Sequence, residues 1–116
     1  MVRTLGVLLF PEFELLDVFG PLEAFGHLLM RDHYRLLLVA EQAGPVPSAQ
    51  GARAVADHGF ADSPRLDVLL VPGGIGTRRE VDNAALIAWI SARATEAELV
   101  TSVCTGAALL ARAGVL

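Results

Sequence analysis

Short blocks of continuous apolar residues alternate along this chain with stretches whose apolar residues recur at helical spacing. Residues 4–10 (TLGVLLF) form the first block, closed by Pro11, and predict a strand buried on both faces. Residues 13–19 (FELLDVF) space their apolar positions as a turn or two of helix would. Gly20-Pro21 interrupts that pattern, and proline suits the first position of a helix, so a second, separate helix is expected from Pro21 to about Met30. Residues 34–40 (YRLLLVA) predict the second strand. Turn residues from Gly44 to Ser48, with the linker Gln50-Gly51-Ala52, frame a hairpin at the sheet edge, with strands at 46–49 and 53–56. Residues 66–71 (LDVLLV) predict a further parallel strand that runs into Pro72-Gly73-Gly74-Ile75-Gly76. Asp82 or Asn83 caps a helix reaching about Thr95, with Leu86, Ile87, Trp89 and Ile90 on its buried face. A last strand, residues 99–103, gives way to a helical pattern from Thr105, with Gly114 as its C-cap.

The order strand–helix–strand–hairpin–strand–helix–strand–helix calls for an open, mostly parallel α/β sheet. A chain of 116 residues suits one domain, 1–116, and 53% hydrophobic content allows a sizeable core. No apolar run approaches the ~18 residues of a membrane span, and Met1-Val2-Arg3-Thr4 leads into strand residues without a cleavage site, so neither a membrane partner nor a secretory leader is expected. The net charge of -4 leaves no electrostatic footprint for direct nucleic-acid binding. All nine basic residues are arginines, which removes lysine Schiff-base and P-loop chemistry. One cysteine excludes an internal disulfide framework and is most at home in a reducing cytoplasm. His27, His33 and His58 show no metal-ligand spacing.

Three positions stand out chemically. Cys104 falls where strand changes to helix, the corner at which an α/β sheet presents a nucleophile. A thiol at a helix N-terminus has its thiolate favoured by the dipole, whereas a lone free cysteine elsewhere is ordinarily a small buried hydrophobe. Asp17 lies among Leu15, Leu16, Val18 and Phe19 as an exposed residue, a local cap or a buried carboxylate with a partner. Gly73-Gly74 is either a strained connection or half of an oxyanion hole, the other half being the N–H that follows Cys104. All three follow predicted strands, on the edge where ligands bind open α/β sheets.

Residues 15–23 (LLDVFGPLE), 71–78 (VPGGIGTR) and 102–107 (SVCTGA), in that order, resemble the ThiJ/PfpI family of the class I glutamine amidotransferase-like superfamily. Within it they are similar to the isonitrile hydratase branch, and equally to the sensor domain at the N-terminus of some AraC-type transcription regulators. The resemblance implies a flavodoxin-like three-layer α/β/α sandwich, with Cys104 as nucleophile on a strained elbow and Asp17 as its acidic partner. It implies that the backbone at Gly73, Gly74 and Thr105 holds developing negative charge, and that the Thr105 hydroxyl contacts substrate. It further implies a small-molecule substrate, no metal or organic cofactor, and a homodimer. Hydration of an isonitrile through a Cys104 adduct is the activity so implied; a non-catalytic sensor domain and a redox or glycation-defence protein are the alternatives. Family members are longer, so this chain is expected to be the N-terminal portion of such a domain. The missing part supplies further strands and pocket wall, and in some relatives the histidine that activates the cysteine.

Overall fold

Four of the apolar blocks lie side by side. In the computed structural model, which describes residues 1–27 and 30–116, β1 (Arg3–Leu8), β2 (Tyr34–Val39), β5 (Val68–Val71) and β6 (Leu99–Ser102) form one sheet in the order β2-β1-β5-β6. Every pairing within it is parallel: Leu5 opposite Leu36 and Val68, Leu70 opposite Thr101, Val71 opposite Ser102. Parallel strands need crossovers, and these are right-handed. The β1-to-β2 crossover through α1 (Leu15–Phe25) runs one way along the sheet, and the β5-to-β6 crossover through α3 (Ala84–Glu96) runs the other. The two helices therefore cover opposite faces, and α4 (Gly106–Arg112) packs beside α3. The result is the flavodoxin-like sandwich, with strand order reversing between β1 and β5.

The core follows from that layering. All four residues of β5 are buried, as are Leu5, Val7 and Leu8 of β1. Leu86 and Ile90 of α3 and Leu109 and Leu110 of α4 close on them. Leu66, fully buried, packs where Gly6 leaves room; a Cβ at residue 6 would sit 2.5 Å from its Cδ1.

Two local expectations are corrected. Gly20-Pro21 does not divide the helix, since α1 runs unbroken from Leu15 to Phe25 with Pro21 inside it. Pro21 forgoes a bond to the Asp17 carbonyl and crowds it with its ring, while Gly20, having no Cβ, removes part of the clash that the residue before a proline usually adds. The expected extension toward Met30 crosses residues outside those described. The hairpin also departs from expectation: β3 (Gly44–Pro47) and β4 (Arg53–Ala56) form a separate antiparallel sheet. The isolated bridges Val39–His58 and Phe13–Ser48, with backbone bonds such as that from the Asp57 N–H to the Leu38 carbonyl at 2.7 Å, tie its surroundings to the rest. Pro45 and Pro47 leave alternate positions of β3 without a donor, as suits an edge strand, and the Pro47 carbonyl accepts the Glu12 N–H at 2.8 Å.

Asn83 caps α3 as expected, its side chain accepting from the Leu86 N–H at 3.4 Å. An unanticipated single turn, α2 (Thr77–Glu80), follows the glycine-rich connection. At the end of α4 the C-cap is Ala113, and Gly114 takes the next position at φ +77°. The Gly114 N–H donates to Ala111 and the Val115 N–H to Leu110, which satisfies two end carbonyls.

Candidate active site

Three chain segments meet at the carboxyl edge of the sheet. Asp17 is the third residue of α1 and is 6% exposed. Its carboxylate Oδ2 accepts the Gly73 N–H at 3.1 Å, and its Oδ1 lies 3.6 Å from the Cys104 Sγ. Of the three readings of Asp17, the buried carboxylate with a partner is the one observed. The Glu14 N–H donates to the Gly73 carbonyl at 3.0 Å, so the start of α1 is tied to the glycine turn. No local side chain caps α1; instead Gln50 reaches across from the hairpin turn, its Oε1 3.4 Å from the Leu15 N–H and its Nε2 donating to Glu14 at 2.9 Å.

Cys104 follows β6 directly. The Val103 N–H still donates to Val71 as a ladder bond would, at 3.0 Å. The chain then turns through Cys104 at φ +50°, in the left-handed region that costs a residue with a Cβ about 1–2 kcal/mol. The turn is possible because its neighbours are small. A Cβ at Gly106 would fall within contact of the Val71 carbonyl and 2.7 Å from that of Pro72. One at Gly73 would meet the Thr105 nitrogen at 2.7 Å, and one at Gly74, itself at φ +122°, would meet the Glu12 carbonyl at 2.6 Å.

The thiol's electrostatics differ from the expectation of a dipole-stabilised thiolate. Cys104 is exposed, and its pKa is raised above the ordinary thiol value. The Asp17 charge is the largest cause, followed by desolvation, the hydrogen bond to Asp17 and the charge of Glu14. The helix that follows is only two turns long and begins two residues later, whereas the Asp17 carboxylate lies within 3.6 Å of the sulfur.

The glycine turn is equally specific. The Gly73 N–H is taken by Asp17, and the Gly74 N–H donates to the Thr105 hydroxyl at 3.1 Å. That hydroxyl also lies 3.4 Å from the Gly74 carbonyl, which accepts from the Thr77 hydroxyl at 2.8 Å. A substrate anion would reach the Gly74 N–H only by displacing Thr105. The backbone N–H groups of Cys104 and Thr105 meet no acceptor among the described residues. Asp17, Gly74, Thr105 and Cys104 share one open cleft of about 640 Å³. Its wall carries Ile75, Val81 and Ala108 as apolar surface, and Glu14, Thr77 and Arg78 as polar groups. Glu14, Thr77 and Arg78 were not singled out by sequence; Arg78 lay inside the glycine-rich motif, but nothing in its spacing marked a role.

A smaller cavity of about 300 Å³ lies away from Cys104, between Phe10, Val46 and Leu86. Glu80 at its rim is buried and already held by Arg79 and Asn83, so it offers no free reactive group. Among the described residues no three His, Cys, Asp or Glu side chains gather as a metal site requires, and no helix is long and apolar enough to cross a membrane.

A parallel α/β sheet that turns a strained cysteine toward a buried carboxylate at its carboxyl edge defines a class of protein, and comparison with known proteins gives the family. Residues 3–116 match the DJ-1/PfpI family, and the chain belongs to it. Over 116 residues it is 36% identical to isonitrile hydratase of Pseudomonas putida, covering all of this chain and 50% of that protein. It is 30% identical to the HTH-type transcriptional regulator GbdR of Pseudomonas aeruginosa, over 98% of this chain and 32% of the regulator. A ThiJ/PfpI family protein from Pseudomonas syringae superposes with a TM-score of 0.92 at 33% identity, over 100% of this chain and 48% of that one. Drosophila melanogaster DJ-1beta shares the fold at a TM-score of 0.82 and 19% identity, over 99% of this chain and 62% of that one. The chain thus spans half the length or less of the first curated relatives it matches.

Proposed function

We propose that this chain is the cysteine-bearing part of an isonitrile hydratase-like enzyme, which converts a small isonitrile and water into an N-substituted formamide. The observation that carries this reading is the Cys104–Asp17 pair, a thiol 3.6 Å from a buried carboxylate with its pKa raised by that charge. Addition to R–N≡C consumes both parts of a thiol. The sulfur bonds to the terminal carbon, the S–H bond breaks, and Asp17 carries the proton to that carbon, giving a thioimidate R–N=CH–S–Cys. Water then adds to the same carbon. The C–S bond breaks, the proton returns to sulfur, and R–NH–CHO leaves. Atoms balance with water alone, and no oxidation state needs outside help. The thiolate is the nucleophilic form, so Asp17, 3.6 Å from the sulfur, serves this step as the base that takes the proton as the sulfur adds and delivers it to carbon. The open Thr105 N–H is a donor for charge that develops on the substrate. Identity to isonitrile hydratase across the whole chain supports the same reading.

The identity to GbdR favours a second reading, a sensor domain that binds a small molecule without turning it over. One experiment separates them: formamide release from a small alkyl isonitrile, followed by NMR. The enzyme reading expects turnover by the wild-type chain, none by Cys104→Ala, and a loss of about 10²–10⁴-fold in Asp17→Asn. Product formation by Cys104→Ala overturns it. Saturable binding with no turnover by the wild type gives the sensor reading instead.

A further inference from the structure

Two arginines stand next to each other in α2, and the fold uses them differently. Arg79 is fully engaged: it pairs with Glu80 at 2.8 Å and Glu12 at 2.8 Å, and donates to the Pro11 carbonyl at 2.6 Å. Arg78 is exposed and lines the cleft that holds Cys104, and among the described residues no carboxylate lies within ion-pair distance of it. Its guanidinium is charged at any working pH and presents a planar fork that matches carboxylate or phosphate oxygens. The rest of the cleft is sorted by charge. Glu14 and Asp17 lie on the α1 side with Cys104, and Ile75, Val81 and Ala108 supply apolar surface.

We propose that Arg78 makes this cleft selective for substrates bearing an anionic group, a carboxylate or phosphate joined by a short apolar spacer to the carbon that Cys104 attacks. The acidic pair beside the thiol repels an anion there, so such a molecule can bind in only one sense, with its reactive end toward Cys104 and its charge toward Arg78. The inference rests on the hydratase reading for the identity of the reactive carbon, but the charge selection belongs to the cleft and is measurable without turnover.

The test alkylates Cys104 with iodoacetate and with iodoacetamide, which differ in charge and react with the same thiolate. Taking the ratio of the two rates at one pH cancels any change in the thiol's own ionisation. Arg78→Gln is expected to lower the iodoacetate-to-iodoacetamide ratio about 1.4- to five-fold, the range for an exposed ion pair. Arg78→Lys should keep part of the preference, and high salt should erase the difference. An unchanged ratio in Arg78→Gln overturns the proposal. In the second arm, isocyanoacetate and ethyl isonitrile are compared as substrates, and Arg78→Gln should raise KM for the carboxylate-bearing compound more than for the neutral one. Wild-type turnover of the neutral isonitrile alone overturns the anion preference and leaves the hydratase reading standing. Turnover of neither overturns the hydratase reading, while the alkylation ratio still decides the role of Arg78.

Discussion

Replacing Gly106 with alanine asks how tightly the elbow is built. Two effects of opposite sign compete at this position. Alanine in place of glycine gains up to about 1 kcal/mol in a helix interior. Gly106 is the first residue of α4, so less than that is available. Against it, the added Cβ would press on the Val71 carbonyl and come within 2.7 Å of the Pro72 carbonyl. Both obstacles are backbone at the end of a buried central strand, so neither can swing aside as a side-chain terminus would. Overpacking of this kind costs about 1–3 kcal/mol, and immobile obstacles put it at the upper end, for a net loss of about 2 kcal/mol. With a urea m-value of about 1.5 kcal/mol/M the midpoint should fall by about 1.3 M at unchanged m. An equal or higher midpoint in Gly106→Ala would show that α4 is not wedged against β5, and the account of the elbow would fail.

Two further outcomes follow from the same geometry. The Asp17 charge disfavours the thiolate, so the alkylation rate of Cys104 should keep climbing with pH beyond the range in which an ordinary thiol levels off. Asp17→Asn should move that rise to lower pH and Glu14→Gln should do so by less; a profile unmoved in Asp17→Asn refutes the electrostatic assignment. In the core, Leu66→Ala removes a fully buried side chain that covers Gly6 and should destabilise by about 2–5 kcal/mol in urea unfolding; a loss below about 1 kcal/mol would mean that the site collapses to fill itself.

Sequence made the sheet legible because its strands are buried on both faces and read as unbroken apolar runs, such as Val68-Leu69-Leu70-Val71. The placement of Asp17, Gly73-Gly74 and Cys104 after strands was enough to bring them to one edge, since parallel strands end on the same side. What spacing could not supply was anything decided by side-chain reach. The Gly73 N–H is taken by Asp17 and the Gly74 N–H by Thr105, which depends on rotamers rather than on order. The direction of the thiol's pKa shift was missed for a related reason: the helix N-terminus is visible in the pattern, whereas the carboxylate that raises the pKa is 87 residues away in the chain. The continuous α1 was hidden because proline normally marks a boundary, a rule that a preceding glycine without a Cβ relaxes in part.

The parallel register of β5 and β6 has a consequence for measurement. Val71 pairs with Ser102, two residues before Cys104, so the thiol's distance from Asp17 is set by how those strands align. A slip of one residue would shift Cys104 by about 3.3 Å, enough to break a 3.6 Å contact and turn the flanking side chains to the other face. The ionisation of one thiol, read by a simple reagent in solution, therefore reports strand alignment across the middle of the sheet. Substitutions far from the cleft that shift this register would show themselves first as a change in the pH at which Cys104 reacts.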